Sequence, residues 1–333
     1  MPEAWMTELV GQLATFFGVY ASQVRPVLAV VLVSLTCGLV GSLVVGNRMA
    51  FFSDAMAHTA FAGVSFALLG IVLATGIRSS READEYLWAV PLITAAIGAV
   101  VGAAIVYVRE RTNLTSDTVI GVFFASSLGI AALLLPILRG RVKVDMEQII
   151  FGQLAGIDER DLLVLLGLAI ITTVIVMLKY NAFVLGSFHP SLARSRGLSV
   201  RADTYLFVVL LALVVNLSIQ AVGILLINAL LIVPAAAAAN VSGDLRRMFL
   251  VTLIGSVVTG LLGYHLSTQL VIHDPVAGPL RPGPGGTIVL TCVAWFVASL
   301  GVKAVRRRFF GRPHLHDHSC SHAPQNGQYN HTH

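Results

Sequence analysis

Long apolar runs separated by short polar breaks recur from about residue 24 almost to the end of the chain. Within each run the apolar positions are continuous rather than alternating. That pattern predicts membrane-crossing helices and excludes an outer-membrane barrel, whose strands change polarity at every second residue. The expected spans are Val24–Gly46, Ala50–Gly76, Leu87–Val108, Asp117–Leu138 and Leu162–Tyr180, followed by Tyr205–Ile219, Val222–Ala239, Phe249–Val271 and Thr287–Val302. The sixth and seventh are short for the roughly 20 residues a bilayer needs and are expected to be broken or tilted. The fold class is all-α: a polytopic transmembrane bundle of about eight to nine spans.

Several breaks carry local signals. Pro234, inside Leu230–Ala235, predicts a kink or break in the seventh span. Gly98-x-x-x-Gly102 predicts close helix packing. Asn216, Gln220 and Asn228 are intramembrane amides, expected to hydrogen-bond between helices. The segment Ile149–Asp158 is apolar but too short to span and reads as an interfacial element on the outer side. After the fifth span, Pro190 suits a first helical turn and Gly197 a C′ position, so a short basic helix lies between them.

Composition sharpens this picture. The chain is 56% hydrophobic and only 12% charged, against about 25% charged in soluble domains. The net charge of +5 sits in loops and at the C-terminus, which fits orientation signals and not nucleic-acid binding. Arg109 and Arg111, Arg194, Arg196 and Arg201, Arg246 and Arg247, and Arg306 to Arg308 all fall on one side of a nine-span arrangement. That side is cytoplasmic by the positive-inside rule, with the C-terminus inside. Arg139, Arg141 and Lys143 fall on the other side and resist the rule. Three cysteines give no disulfide framework: Cys37 and Cys292 read as packing residues, and Cys320 lies in a polar tail. Met1–Tyr20 lacks a basic n-region and reads as an interfacial helix. The chain thus divides into an N-terminal interfacial segment 1–23, a transmembrane domain 24–305 and a basic, His-rich tail 306–333.

One stretch carries candidate chemistry. Asp54 and His58 are four residues apart in an apolar run, so they share one helix face. A charged residue at the centre of a membrane helix costs roughly 2.5–3.5 kcal/mol on insertion scales, and a divalent cation would offset that cost. Carboxylate oxygen and imidazole nitrogen are both metal ligands. Alternatively, a helix starting near Ala50 leaves Asp54 close to the interface, where it can pair with Arg48 or cap backbone groups. In the tail, His314, His316, His318, Cys320 and His322 form a loose cluster able to hold a divalent ion weakly; an accidental run of histidines is the other reading. No P-loop, no His-Glu-x-x-His and no ladder of intramembrane acids is present, so the sequence offers no catalytic motif.

Four motifs together resemble the membrane subunit of metal-ion ABC importers, the zinc, manganese and iron permeases. They are Ser53–His58 with the following Gly63; Thr118–Phe123; Phe151–Leu154 with the later Ala193-Arg194-x-x-Gly197-Leu198; and Val222–Ala235. The resemblance runs from about Val27 to Val302 and implies a permease domain that is not itself an enzyme. It implies a second permease protomer, two copies of an ATP-binding subunit on the cytoplasmic face and an extracytoplasmic metal-binding protein. The setting is the bacterial cytoplasmic membrane and its lipid, and the cargo is manganese, zinc or ferrous iron, with no permanently bound cofactor. Asp54 and His58 would line the path as transient ligands, and His189, Pro190, Ser191, Leu192, Ala193, Arg194, Gly197 and Leu198 would form the loop that couples to the ATPase. The chain departs from the family in carrying Ala62 where proline is frequent, His189 where an acid is frequent, and Asn228 where a small hydroxyl residue is common. Permeases for metal chelates such as siderophores or cobalamin share part of this pattern, and a secondary metal carrier is the remaining alternative.

Overall fold

The computed structural model describes residues 21–76, 84–138, 146–188, 190–270, 272–274, 278–280 and 282–310. Residues 1–20, the loop bearing Arg139, Arg141 and Lys143, His189 and the histidine-rich tail lie outside the described residues. Among those described, nine helices are long and apolar enough to cross a membrane.

In chain order the long helices are α1 Ala21–Gly46, α2 Ala50–Thr75, α3 Val90–Arg111 and α4 Ser116–Leu138. The short helix α5 Met146–Phe151 follows, then α6 Glu159–Phe188 and the short α7 Pro190–Ser195. The chain continues with α8 Val200–Val222, α9 Ile224–Val241, α10 Leu245–Gln269 and α11 Pro284–Phe310. Most spans are longer than hydropathy alone indicates, because their polar ends remain helical. Glu159 and Asp161 in the first turn of α6 favour a helix start through the macrodipole, and α11 carries its basic residues at the end where that dipole favours cations. Sequence reading missed a small antiparallel ribbon between α10 and α11, in which Ile272–Asp274 pairs with Gly278–Leu280.

Helices α1, α2, α8 and α9 form the buried centre, while α4 and α11 lie at the periphery. Small residues let these helices approach. A Cβ on Gly63 would lie 2.7 Å from Thr94 Cγ2, and one on Gly102 would lie 2.9 Å from Val208 and 3.2 Å from Met56 Sδ. The Gly98-x-x-x-Gly102 face of α3 therefore packs against α8 and α2, as its spacing predicts.

The break in the second half of the bundle is not at Pro234. Helix α9 runs unbroken through that proline. The chain instead turns at Gly223, between α8 and α9, with φ 82°. Gly152, with φ 75°, meets Gly223 backbone to backbone, so neither position has room for a side chain. Two of the four sequence motifs thus touch each other. The segment after α5 is correspondingly inserted among helices: Leu154 and Ile157 are buried.

At the opposite end, Asn47, Arg109, Gly186 and Asp203 border one cavity of about 310 Å³, which brings the ends of α1, α3, α6 and α8 together. Arg306 donates to the Val241 carbonyl, which adds the ends of α9 and α11 to the same side. Arg201 Nε lies 3.6 Å from Glu110 Oε2, and Leu245 lines a second cavity with Asn47, so the starts of α8 and α10 gather at this end as well.

Candidate metal path and docking helix

Helix α2 begins at Ala50 and ends at Gly76, whose left-handed φ of 68° directs its N–H to Val72 O at 3.0 Å. Nothing interrupts it at Ala62. Ser53, Met56, Ala57 and Ala60 are buried, which turns their face to the bundle. Asp54 and His58 stand on a different face, with side chains 45% and 25% exposed.

The hydrogen bonds around this pair fix its chemistry. His58 Nδ1 lies 2.9 Å from the Asp54 carbonyl oxygen. A carbonyl only accepts, so Nδ1 is the donor here, and in the neutral ring Nε2 is the nitrogen that carries the lone pair. The imidazole also stacks at a tilt on Phe124, with ring centroids 4.7 Å apart. Asp54 Oδ1 accepts a hydrogen bond from Asn228 Nδ2 at 2.7 Å, and lies 3.6 Å from His58 Nδ1. Arg48 makes no ion pair with Asp54 among the described residues, so the alternative pairing is not the one adopted.

An open cleft of about 380 Å³ lies between α2 and α4, bordered by Phe51, Asp54, Ala55, Asp117, Ile120 and Phe124. Gly121 also lines it, from the motif that opens α4. Sequence reading treated Asp117 as a span-start acid only. Its proximity to Asp54 is a through-space relation between two helices, which periodicity along the chain cannot reveal. Among the described residues no group of three or more His, Cys, Asp and Glu side chains converges. The described residues of one chain thus bring Asp54 and His58 together without a third such group, short of the four ligands of a closed zinc site.

The loop helix lies at the end where Arg109 and Arg201 cluster. Helix α7 closes with a paired C-terminal motif: Leu198 N–H reaches Ala193 O at 3.0 Å and Gly197 N–H reaches Arg194 O at 3.0 Å. Gly197 takes φ 75°, the left-handed geometry that such an ending requires. Ala193 is buried beneath the helix, while Ser191, Leu192, Arg194, Ser195 and Arg196 are exposed.

The sequence profile of the ABC 3 transport family matches residues 19–303. The chain belongs to this family. It is a multi-pass membrane component of an ABC transport system. It is 31% identical over 250 residues to the manganese transport system membrane protein MntC of Halalkalibacterium halodurans, covering 75% of this chain and 79% of that one. It is 28% identical over 279 residues to the zinc transport system membrane protein TroC of Treponema pallidum, covering 83% of this chain and 87% of that one. Among solved structures, PsaBC from Streptococcus pneumoniae in complex with Fab superposes with a TM-score of 0.65 at 23% identity, over 83% of this chain and 90% of the other. That likeness shows that the two chains share a fold.

Proposed function

We propose that this permease imports a bare divalent metal ion, manganese or zinc, and that Asp54 and His58 are its transient ligands. The observation that carries the reading is the setting of Asp54: a carboxylate in an apolar span, held by an amide and an imidazole, with no lysine or arginine paired to it among the described residues. A passing dication would supply the missing charge. Each protomer offers one carboxylate and one imidazole nitrogen. Two protomers facing each other would offer about four ligands, enough to hold zinc and few enough to let it go. Relatives with transport names that specify cargo name manganese and zinc, which favours a bare ion over a chelate. The family match favours ATP-driven transport over a secondary carrier.

ATP hydrolysis then belongs to a separate subunit pair on the basic face. The exposed side of α7, with Leu192 and Arg194, is the surface offered to it, and Gly197 sets the angle at which the helix stands. An extracytoplasmic binding protein would deliver the ion at the opposite face, where Gly152 and Gly223 meet. By the positive-inside rule the end of the bundle bearing Arg109 and Arg201 would be the cytoplasmic one, which would put the C-terminus inside.

The test is uptake of radiolabelled manganese and zinc into vesicles containing the permease and its ATPase. Asp54→Ala and His58→Ala should each lower uptake by about 10-fold or more, the scale of lost metal ligands and their partners. Wild-type rates in both variants would remove the proposed site.

A further inference from the structure

The two amides Asn216 and Asn228 are used differently. Asn216 Nδ2 bonds within its own helix, to Ala212 O at 2.9 Å. Asn228 Nδ2 crosses to a helix 174 positions away in sequence and donates to Asp54 Oδ1. The Asn228 Oδ1 atom is buried and has no hydrogen-bond partner among the described residues. The fixed contact of this amide is therefore its donation to the carboxylate. Asp54 Oδ2 receives no hydrogen bond among the described residues.

We infer that Asn228 is a positioning residue that makes Asp54 a one-oxygen ligand and thereby sets the balance between zinc and manganese. The inference rests on the reading of Asp54 as a cargo ligand. A carboxylate with Oδ1 engaged by an N–H presents mainly Oδ2 to a metal. Freed of that N–H, it can turn and chelate through both oxygens. One oxygen and one imidazole nitrogen per protomer suit a four-coordinate, borderline ion such as zinc. Additional oxygen donors favour a harder ion that accepts more ligands, such as manganese. Asn228 thus holds the site at the nitrogen-rich, low-coordination end of the range, and its loss moves the site toward manganese.

The experiment uses the complete transporter in vesicles and measures half-saturating concentrations for manganese and for zinc on the same preparation. Asn228→Leu removes the donor at similar volume, Asn228→Ala removes it without adding any polar or charged group, and Asn228→Ser restores a short O–H donor. The ratio of the zinc value to the manganese value should rise about 10-fold in the Leu and Ala variants, the scale on which partners of metal ligands act. It should return toward wild type in the Ser variant. A general loosening of the bundle would scale both metals together and leave the ratio alone. Should the Leu variant fail to assemble, the Ala variant decides. An unchanged ratio, with Asp54→Ala inactive, overturns the inference and leaves the ligand reading standing. Full uptake by Asp54→Ala would instead sink the ligand reading, and this inference with it.

Discussion

Two aspartates in helical spans are held in opposite ways. Asp203, in the first turn of α8, is buried to 7% side-chain exposure and takes Lys179 Nζ at 3.1 Å. Asp54, in the second turn of α2, is half-exposed to a cleft, and its closest partners among the described residues are an amide and an imidazole, not a lysine or arginine. The first is a closed electrostatic unit, in which burial of a carboxylate is compensated by a resident ammonium. The second lacks a resident cation while facing open space. A carboxylate that serves structure keeps its counter-ion; on the proposed reading Asp54 leaves that place open for the cargo. Lys179 is itself half-exposed, so even the structural pair keeps one partner in contact with solvent.

The most severe way to break the comparison is to give Asp54 what Asp203 has. Asn228→Lys places an ammonium on the helix that now supplies the amide. Metal uptake should fall by about 100-fold or more, the upper range for disturbing a ligand's partner, while the protein still assembles. A second measurement, thermal unfolding in detergent, separates this outcome from misfolding. Retained uptake would mean that the cargo does not need the vacancy beside Asp54.

The converse change strips Asp203. Lys179→Met leaves a buried carboxylate without its cation and should cost about 3 kcal/mol of stability, the low end for a broken buried pair because the lysine side is solvated. Asp203→Asn leaves only a half-exposed lysine that can turn to water, and should cost about 1 kcal/mol. The order of the two unfolding temperatures is the check. Neither change should alter the preference between manganese and zinc, because Asp203 lines a different cavity from the α2–α4 cleft that holds Asp54.

The contrast between the two acids was only partly legible in the sequence. Helices were legible because hydropathy is local, and the Asp54–His58 pair was legible because i and i+4 always share a helix face. Of the kink or break expected at Pro234, the break does not occur, for a physical reason. Pro234 loses one hydrogen bond and sits in an otherwise continuous helix, a cost that neighbouring helices can absorb. Gly223 takes a φ that side chains resist, and does so because Gly152 occupies the space beside it. That contact joins residues some 70 positions apart, and no periodicity encodes it. The partner of Asp54 was hidden in the same way. Asn228 reads as an interhelical amide, which it is, but only the packing of α9 against α2 shows which atom it serves.

The smallest expected effect is the most discriminating. Asp54→Asn keeps the side chain's shape and leaves an oxygen to accept from Asn228 Nδ2. It removes the charge without creating a cavity or an orphaned donor. Because Asp54 is half-exposed and has no lysine or arginine partner among the described residues, stability should change by less than about 1 kcal/mol. Lys179→Met should therefore unfold at a clearly lower temperature than Asp54→Asn, although Asp54→Asn is the one that stops transport. A structural acid fails by unfolding; a transport acid fails while the protein stays folded. If Asp54→Asn instead melted like Lys179→Met, Asp54 would belong with Asp203, and its open cleft would be a feature of packing alone.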